Sequence, residues 1–162
     1  MEPCPPGVQV HTRQPEDSRV HAMISQKAKY ALRALIALAQ AGDHALLISE
    51  ISEAKRIPKK FLEQILLELK RQGIVTSRRG RHGGYALLKD PSEIYFGQII
   101  RIIDGPLAPL PCLSRTAYRR CEDCGDESAC LLRRVFAVTH QATTGILDNT
   151  SILDAITGAL PG

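Results

Sequence analysis

The sequence predicts a mainly α-helical chain that carries one small β-hairpin. Two observations predict this class: apolar residues recur at helical spacing in several segments, and two short β-prone runs flank a loop rich in Gly and Arg. The 162 residues are 44% hydrophobic and 23% charged, which suffices for one globular domain with a buried core. No run reaches about 18 consecutive apolar residues, so a membrane-spanning helix is excluded.

The first segment, residues 1–22, is rich in Pro and polar residues and has no periodicity, so we expect a disordered leader. The first patterned segment opens at Met23, which is consistent with an overlong gene start. The leader lacks the apolar core of a secretory signal, so the sequence predicts a cytoplasmic protein without a membrane partner. Cys4 stands alone in this leader, and we expect it to be a bystander.

Three helices are predicted next. The first runs from Ser25 to Gly42, with apolar residues at helical spacing: Ala28, Ala31, Leu32, Leu35, Ile36 and Ala39. A short helix covers about 48–55. Pro58 suits the first position of the third helix, because its missing N–H would be unpaired there. The third helix runs to about Gln72, and its predicted buried residues are Leu62, Ile65, Leu66 and Leu69. A short helix, a tight turn and a longer basic helix form a helix-turn-helix.

A β-hairpin is predicted directly after the third helix. Residues 74–77 and 85–88 are its strands, and the loop 78–84 places three arginines between glycines. A hairpin behind a recognition helix is a wing, so residues 23–90 are predicted to form a winged helix-turn-helix domain that contacts DNA. The alternative is a solvated basic turn, since surface arginines in Gly-rich hairpins are common.

The charge distribution supports a DNA partner. The net charge is only +4, but residues 55–89 hold ten Lys and Arg against two acidic residues, a local charge of +8. The rest of the chain is therefore net acidic, at −4. Such a division indicates that one segment faces a polyanion.

A linking helix and a Pro-rich bend are predicted over 91–111, before a cysteine loop at 112–130. The loop reads C-x8-C-x2-C-x5-C and comprises Cys112, Cys121, Cys124 and Cys130. Four thiolates suit a tetrahedral zinc ion or an iron–sulfur cluster, and unliganded thiols or a disulfide are the plain alternative. Zinc sites usually show a second C-x2-C or a His pair, whereas His140 lies ten residues beyond the last cysteine.

The last segment, residues 131–162, is predicted to hold most of a long helix and a short C-terminal helix. The long helix spans about Ala129–Leu147, roughly 28 Å at about 1.5 Å per residue. Its broad apolar face comprises Leu131, Leu132, Val135, Phe136, Thr139, Ala142, Ile146 and Leu147. Such a face is more often part of a core than an interface.

The sequence resembles the IscR- and NsrR-type family of bacterial winged-helix transcriptional regulators. The resemblance begins with MISQKAKYALRALIALA at Met23, continues through FLEQILLELKRQGIVTSRRGRHGGYALLKDPSEI, and extends to ILDNTSILDAI. It implies a homodimer that binds a partly palindromic operator and makes the long C-terminal helix the dimer helix. Arg56 departs from the pattern, because such chains usually carry Gly in the turn of the helix-turn-helix.

Roles in DNA binding can then be assigned. Lys59 and Lys60 lie in the first turn of the recognition helix, the end that normally enters the major groove. Glu63 can accept a hydrogen bond from cytosine and Gln64 can bind adenine, and the resemblance makes Glu63 a base reader; both could instead only solvate the helix. Arg79 matches the wing arginine that the family inserts into the minor groove. Expected phosphate contacts are Lys27, Tyr30 and Arg81.

The resemblance also bears on the cysteines. Family sensors commonly show C-x5-C-x5-C; Cys124 and Cys130 keep the second spacing, but the first cysteine would fall at Tyr118. One family branch adds a His at the position of Arg133, and another adds an acidic residue near the position of Lys29. The resemblance therefore implies an all-cysteine site for one labile cluster per subunit, either 2Fe–2S or 4Fe–4S.

Three functions are compatible with these features. The first is an iron–sulfur-dependent DNA-binding repressor or activator that senses iron, redox state or nitric oxide. The second is the same DNA-binding fold with zinc or bare thiols, acting without a cluster. The third is an electron carrier or thiol enzyme, which the sequence disfavours because no nucleophile–base pair is evident and a basic wing would have no use. We therefore predict a regulator and not an enzyme.

Overall fold

The computed structural model describes residues 24–78, 80 and 83–160. Within these residues it contains six α-helices and one two-stranded antiparallel hairpin, which confirms the predicted class. The elements are α1 (Gln26–Gln40), α2 (Ile48–Lys55), α3 (Lys59–Arg71), β1 (Val75–Arg78), β2 (Gly84–Leu87), α4 (Phe96–Asp104), α5 (Leu131–Asn149) and α6 (Ile152–Thr157). Two short 3₁₀ turns lie at Pro91–Glu93 and Pro111–Leu113. The predicted leader lies outside the described residues.

Helix α1 is the centre of the domain. Ser25 caps it by accepting a hydrogen bond from the Ala28 N–H at 3.0 Å. The helix contacts α2, α3, α4, α6 and β2. Of its predicted apolar face, Ala28, Ala31, Leu32 and Leu35 are buried, whereas Ile36 and Ala39 are half-buried. The core is therefore assembled around α1.

The turn between α2 and α3 is tight. Ile57 is buried, its N–H donates to the Ser52 carbonyl at 3.0 Å, and the Ser52 hydroxyl donates back to the Ile57 carbonyl at 2.7 Å. Arg56 has φ 52° and ψ 51°, a left-handed conformation that a side chain disfavours. Pro58 was predicted at the first position of α3, but it is the N-cap, one residue earlier. Its ψ of 127° is not helical, so the helix begins at Lys59.

Helix α3 confirms its predicted buried face. The four predicted core residues, Leu62, Ile65, Leu66 and Leu69, are completely inaccessible. The hairpin follows with Thr76 opposite Ala86 and Arg78 opposite Gly84. Each strand begins and ends within one residue of its predicted bounds.

The hairpin is extended by one residue from the α1–α2 connection. Leu46 exchanges two backbone hydrogen bonds with Tyr85, at 2.9 and 2.8 Å. Gly84 has φ 140°, and a Cβ at that position would lie 2.5 Å from the Leu46 carbonyl oxygen. The strand can therefore approach Leu46 only because residue 84 lacks a side chain.

The C-terminal elements pack back onto the N-terminal helices. Arg101 on α4 donates two hydrogen bonds to Asp148 on α5, at 2.6 and 2.9 Å. The predicted linking helix is α4, which spans Phe96–Asp104 and so lies within the predicted segment 91–111. Helix α5 begins at Leu131 rather than Ala129, because Cys130 is its cap, and Ile152 of α6 is buried in the same core as α1. Among the described residues, no helix is long and apolar enough to cross a membrane.

The strained turn gives a first prediction. Arg56→Gly should have a free energy of unfolding about 1 kcal/mol higher than Arg56→Ala, because Gly adopts a positive φ without steric cost. Urea denaturation of both variants measures the difference. Both lack the guanidinium, so the comparison isolates the backbone effect. Equal stabilities would show that the turn is not strained.

Candidate DNA-binding surface and cysteine loop

The outer face of α3 carries the four predicted groove residues. Lys59, Lys60, Glu63 and Gln64 are all exposed, and their i, i+4 spacing places them on one side of the helix. The opposite side is the buried face that packs on the core. The structure therefore brings these four residues together on an accessible surface.

A groove of about 370 Å³ separates this face from the wing. Lys59 and Glu63 line it from α3, Ser77 and Arg78 from β1, and Ser49 from α2. The last three residues were not assigned as site residues from the sequence. Arg78 could have been found, since it belongs to the same Arg- and Gly-rich loop motif as Arg79.

Lys27 and Tyr30, two predicted phosphate contacts, both contact α3 from α1. The Lys27 ammonium lies 2.6 Å from the Glu68 carboxylate, and each side chain is about one-third exposed. The Tyr30 ring stands edge-on to Phe61, with centroids 5.8 Å apart. These contacts position α3, and the phosphate roles stay predictions. Arg79 and Arg81 lie outside the described residues.

The four cysteines of the loop lie near one another as two pairs. Cys112 is buried at 5% exposure in the second 3₁₀ turn, and the other three are half-buried. Cys112 lies close enough to Cys121 to raise the pKa of that thiol, and Cys130 acts on Cys124 in the same way; Cys124 also raises the pKa of Cys121. All four are free thiols.

The surroundings of Cys121 and Cys124 disfavour the thiolate form of these two residues. Desolvation, followed by the neighbouring Cys112 thiol, raises the pKa of Cys121. Desolvation and Cys130 raise the pKa of Cys124, while the charge of Arg120 opposes the shift. Cys121 and Cys124 therefore favour the neutral thiol, and binding of a metal by these two residues requires loss of their protons.

Side-chain bonds shape the loop around the cysteines. Arg120 donates to the carbonyl oxygens of Cys124 and Gly125, at 3.0 and 2.6 Å. The Tyr118 hydroxyl donates to Glu127 at 2.7 Å, a bond that raises the pKa of Tyr118. The Cys130 sulfur accepts from the Arg133 N–H at 3.4 Å, so it caps α5.

The donor set fits a sulfur-ligated group in kind and number. Across the described residues, no three His, Cys, Asp or Glu side chains converge as ligands of a single metal ion. The four thiols are therefore not gathered at one point, and either a zinc ion or an iron–sulfur cluster would have to draw them together. Four cysteines are the ligand number of both kinds of group.

Helix α5 leaves its apolar face uncovered. Leu131, Leu132, Val135 and Val138 are between 65% and 71% exposed, and Ile146 is 53% exposed. Val138 was missed in the sequence, although it follows Val135 by three residues. Leu147, by contrast, packs against the core. The described part of the chain buries no residue of α5 fully.

Comparison with known proteins identifies relatives along nearly the whole described chain. The family profile described as "Rrf2: Iron-dependent Transcriptional regulator" matches residues 24–158. An rrf2-like HTH-type transcriptional regulator of Rhodobacter capsulatus is 48% identical over 143 residues, which cover 86% of this chain and 95% of the relative.

Two solved structures have the same fold. CymR, the global cysteine regulator of B. subtilis, superposes with a TM-score of 0.70 at 31% identity, covering 83% of this chain and 95% of CymR. IscR of T. potens superposes with a TM-score of 0.66 at 26% identity, covering 84% of this chain and 87% of IscR. These relatives are regulators and not enzymes, as predicted from the sequence.

Proposed function

The chain belongs to the Rrf2 family of HTH-type transcriptional regulators, and from this premise we propose that it binds an operator as a homodimer and senses iron or redox state through its cysteine loop. One observation carries the sensing proposal. Cys130 belongs to a thiol pair and also caps α5, so chemistry at the loop acts directly on the start of that helix.

The DNA-binding part of the proposal assigns the exposed face of α3 to the major groove. Lys59 and Lys60 neutralise phosphates or bind guanine at the N-terminal end of the helix, and Glu63 and Gln64 read base edges one turn further along. The groove beside α3 lets Arg78 follow the backbone of the same DNA segment. Arg79 remains the proposed minor-groove residue, and Arg81, Lys27 and Tyr30 remain proposed phosphate contacts.

The dimer part of the proposal assigns a second copy of this chain to the uncovered face of α5. Leu131, Val135, Val138 and Ala142 follow one another at spacings of four, three and four residues, which is the repeat of a helix-to-helix seam. At about 1.5 Å per residue, the 19 residues of α5 span roughly 28 Å, long enough for several layers of such packing. A two-fold axis at this seam would match a partly palindromic operator.

The sensing part of the proposal assigns an iron–sulfur cluster to Cys112, Cys121, Cys124 and Cys130. The grouping of the thiols in two pairs favours a 2Fe–2S over a 4Fe–4S cluster. When bound, such a cluster supplies the sensing chemistry, because the cluster is lost or oxidised as iron supply, oxygen or nitric oxide changes. The chain's own residues exclude water at Cys112, hold the loop through Arg120, and offer the positive end of the α5 dipole to the Cys130 sulfur.

A second candidate is a regulator that works through the thiols alone. The neighbouring pairs Cys112–Cys121 and Cys124–Cys130 could each form a disulfide, with loss of two protons and two electrons to an oxidant such as a peroxide. Zinc is a third candidate for the cysteine loop, although a single zinc ion would have to draw the two thiol pairs together. The iron named in the family description favours the cluster.

Lys60 provides a test of the DNA surface. Lys60→Ala should reduce the slope of log K against log salt concentration by about one unit, because one phosphate contact is lost. Binding to a duplex selected from a random pool, measured at several salt concentrations, gives the slope. Arg119→Ala removes an exposed cation from the cysteine loop and should leave the slope unchanged. An unaltered slope for Lys60→Ala would remove this residue from the phosphate contacts.

The dimer seam can be tested with a single charge. Val138→Glu should convert the protein to a monomer in analytical ultracentrifugation, because two buried carboxylates would face each other across the axis. Gln72→Glu adds the same charge at an exposed position outside α5 and should remain dimeric. Circular dichroism of both variants checks that α5 still forms. A dimeric Val138→Glu protein would exclude this face as the interface.

The cluster is tested by anaerobic reconstitution with iron and sulfide. We expect visible absorbance and about two irons per chain, with loss of both in Cys124→Ser and retention in Cys4→Ser. Cluster-loaded and cluster-free protein should then differ in operator affinity. A colourless product that contains zinc would contradict the cluster, and equal operator affinities would contradict a sensing role.

A further inference from the structure

A cleft beside the cysteine loop has no part in the functions proposed above. It has a volume of about 310 Å³ and lies between the bend that follows α4 and the face of α5 that is turned toward α4. A second cavity of about 250 Å³ is also lined by Leu107, Ala108 and His140. The bend therefore packs loosely on α5, and the larger cavity is near the lower limit for a small-molecule site.

The lining of the cleft offers an unused hydrogen-bond donor. Ser114 is 7% exposed, and its hydroxyl oxygen accepts from the Ala117 N–H at 2.9 Å, which leaves its own proton for an acceptor. His140 also lines the cleft, but its Nδ1 atom is inaccessible to solvent, so a ligand in the cleft does not contact this nitrogen.

The charge of the cleft favours an anion. Arg115 lines it and is exposed, and no ion pair of Arg115 is found within the described residues. The other cation, Arg101, is neutralised by its two hydrogen bonds to Asp148. One positive charge is therefore left over. A guanidinium next to a hydroxyl donor is well suited to a carboxylate.

Part of the cleft lining is apolar. Pro106, Leu107 and Ala108 of the bend form this apolar part. A purely ionic ligand such as acetate would leave it uncovered, whereas an aliphatic tail would bury it against these side chains.

We propose that the cleft binds a small organic monocarboxylate with an apolar tail. The carboxylate pairs with Arg115 and the Ser114 hydroxyl near His140, and the tail lies along Leu107 and Ala108. The cleft includes neither the DNA-binding residues nor the cysteines, so a failure of this proposal would leave the proposed function unaffected.

The test uses valerate as the probe and the full-length protein as the sample. The ring resonances of His140, assigned by their disappearance in His140→Gln, should shift saturably as valerate is added. Valeramide, which lacks the charge, and acetate, which lacks the tail, should each bind about tenfold more weakly. The absence of a saturable shift, or equal binding of valerate and valeramide, would overturn the proposal.

A matched pair of variants locates the anion. Arg115→Gln should weaken valerate binding about tenfold, because a charge-assisted hydrogen bond is lost. Arg119→Gln removes an exposed arginine of the same loop that does not line the cleft, and it should bind valerate as the parent does. Both positions are exposed, so neither change should prevent folding. Equal weakening by the two variants would show that valerate binds through general charge attraction and would overturn the assigned site.

Discussion

The whole arrangement depends on the close packing of helices against α1. Ala28, Ala31 and Ala34 are completely inaccessible, and Ala37 is 6% exposed, so small side chains lie along the buried side of this helix. Small residues let neighbouring helices approach closely, and α3, α4 and α6 all contact α1. Packing against α1 therefore sets the position of the recognition helix, α3, in the protein without DNA. Larger side chains at these alanines would overpack the contacts that α1 makes with its neighbours.

Periodicity in the sequence was sufficient for the helices that have one buried face. The 3.6-residue repeat predicted all four buried residues of α3 and four of the seven in α1, where Ala34, Ala37 and Leu38 were missed. The wing was predicted from its Gly-rich loop. Element ends were less accurate, since the cap roles of Pro58 and Cys130 depend on local φ and ψ angles that the residue type does not determine. The backbone pairing of Leu46 with Tyr85 was not foreseen, because it joins residues far apart in the chain.

The candidate site was predictable to a similar degree. Residue type and spacing placed Lys59, Lys60, Glu63 and Gln64 on one exposed helix face, which needs no long-range information. The Lys27–Glu68 ion pair joins residues 41 positions apart, and only the packing of α1 against α3 creates it. The same holds for the cysteines, since spacing indicated a sulfur-ligated site but could not show which thiols are neighbours.

Helix α4 connects the two halves of the protein physically. At its C-terminus, Asp104 accepts hydrogen bonds from the backbone N–H and the hydroxyl of Ser25, the residue that caps α1. One turn earlier, Arg101 holds Asp148 of α5, and Gly97 leaves the space that Asp148 occupies, because a Cβ there would lie 2.0 Å from its carboxylate oxygen. Each of these bonds depends on orientation. A displacement of α5 that starts at the cysteine loop must therefore either break the Arg101 pair or move α4, and a movement of α4 reaches the cap of α1, the helix against which the recognition helix is packed.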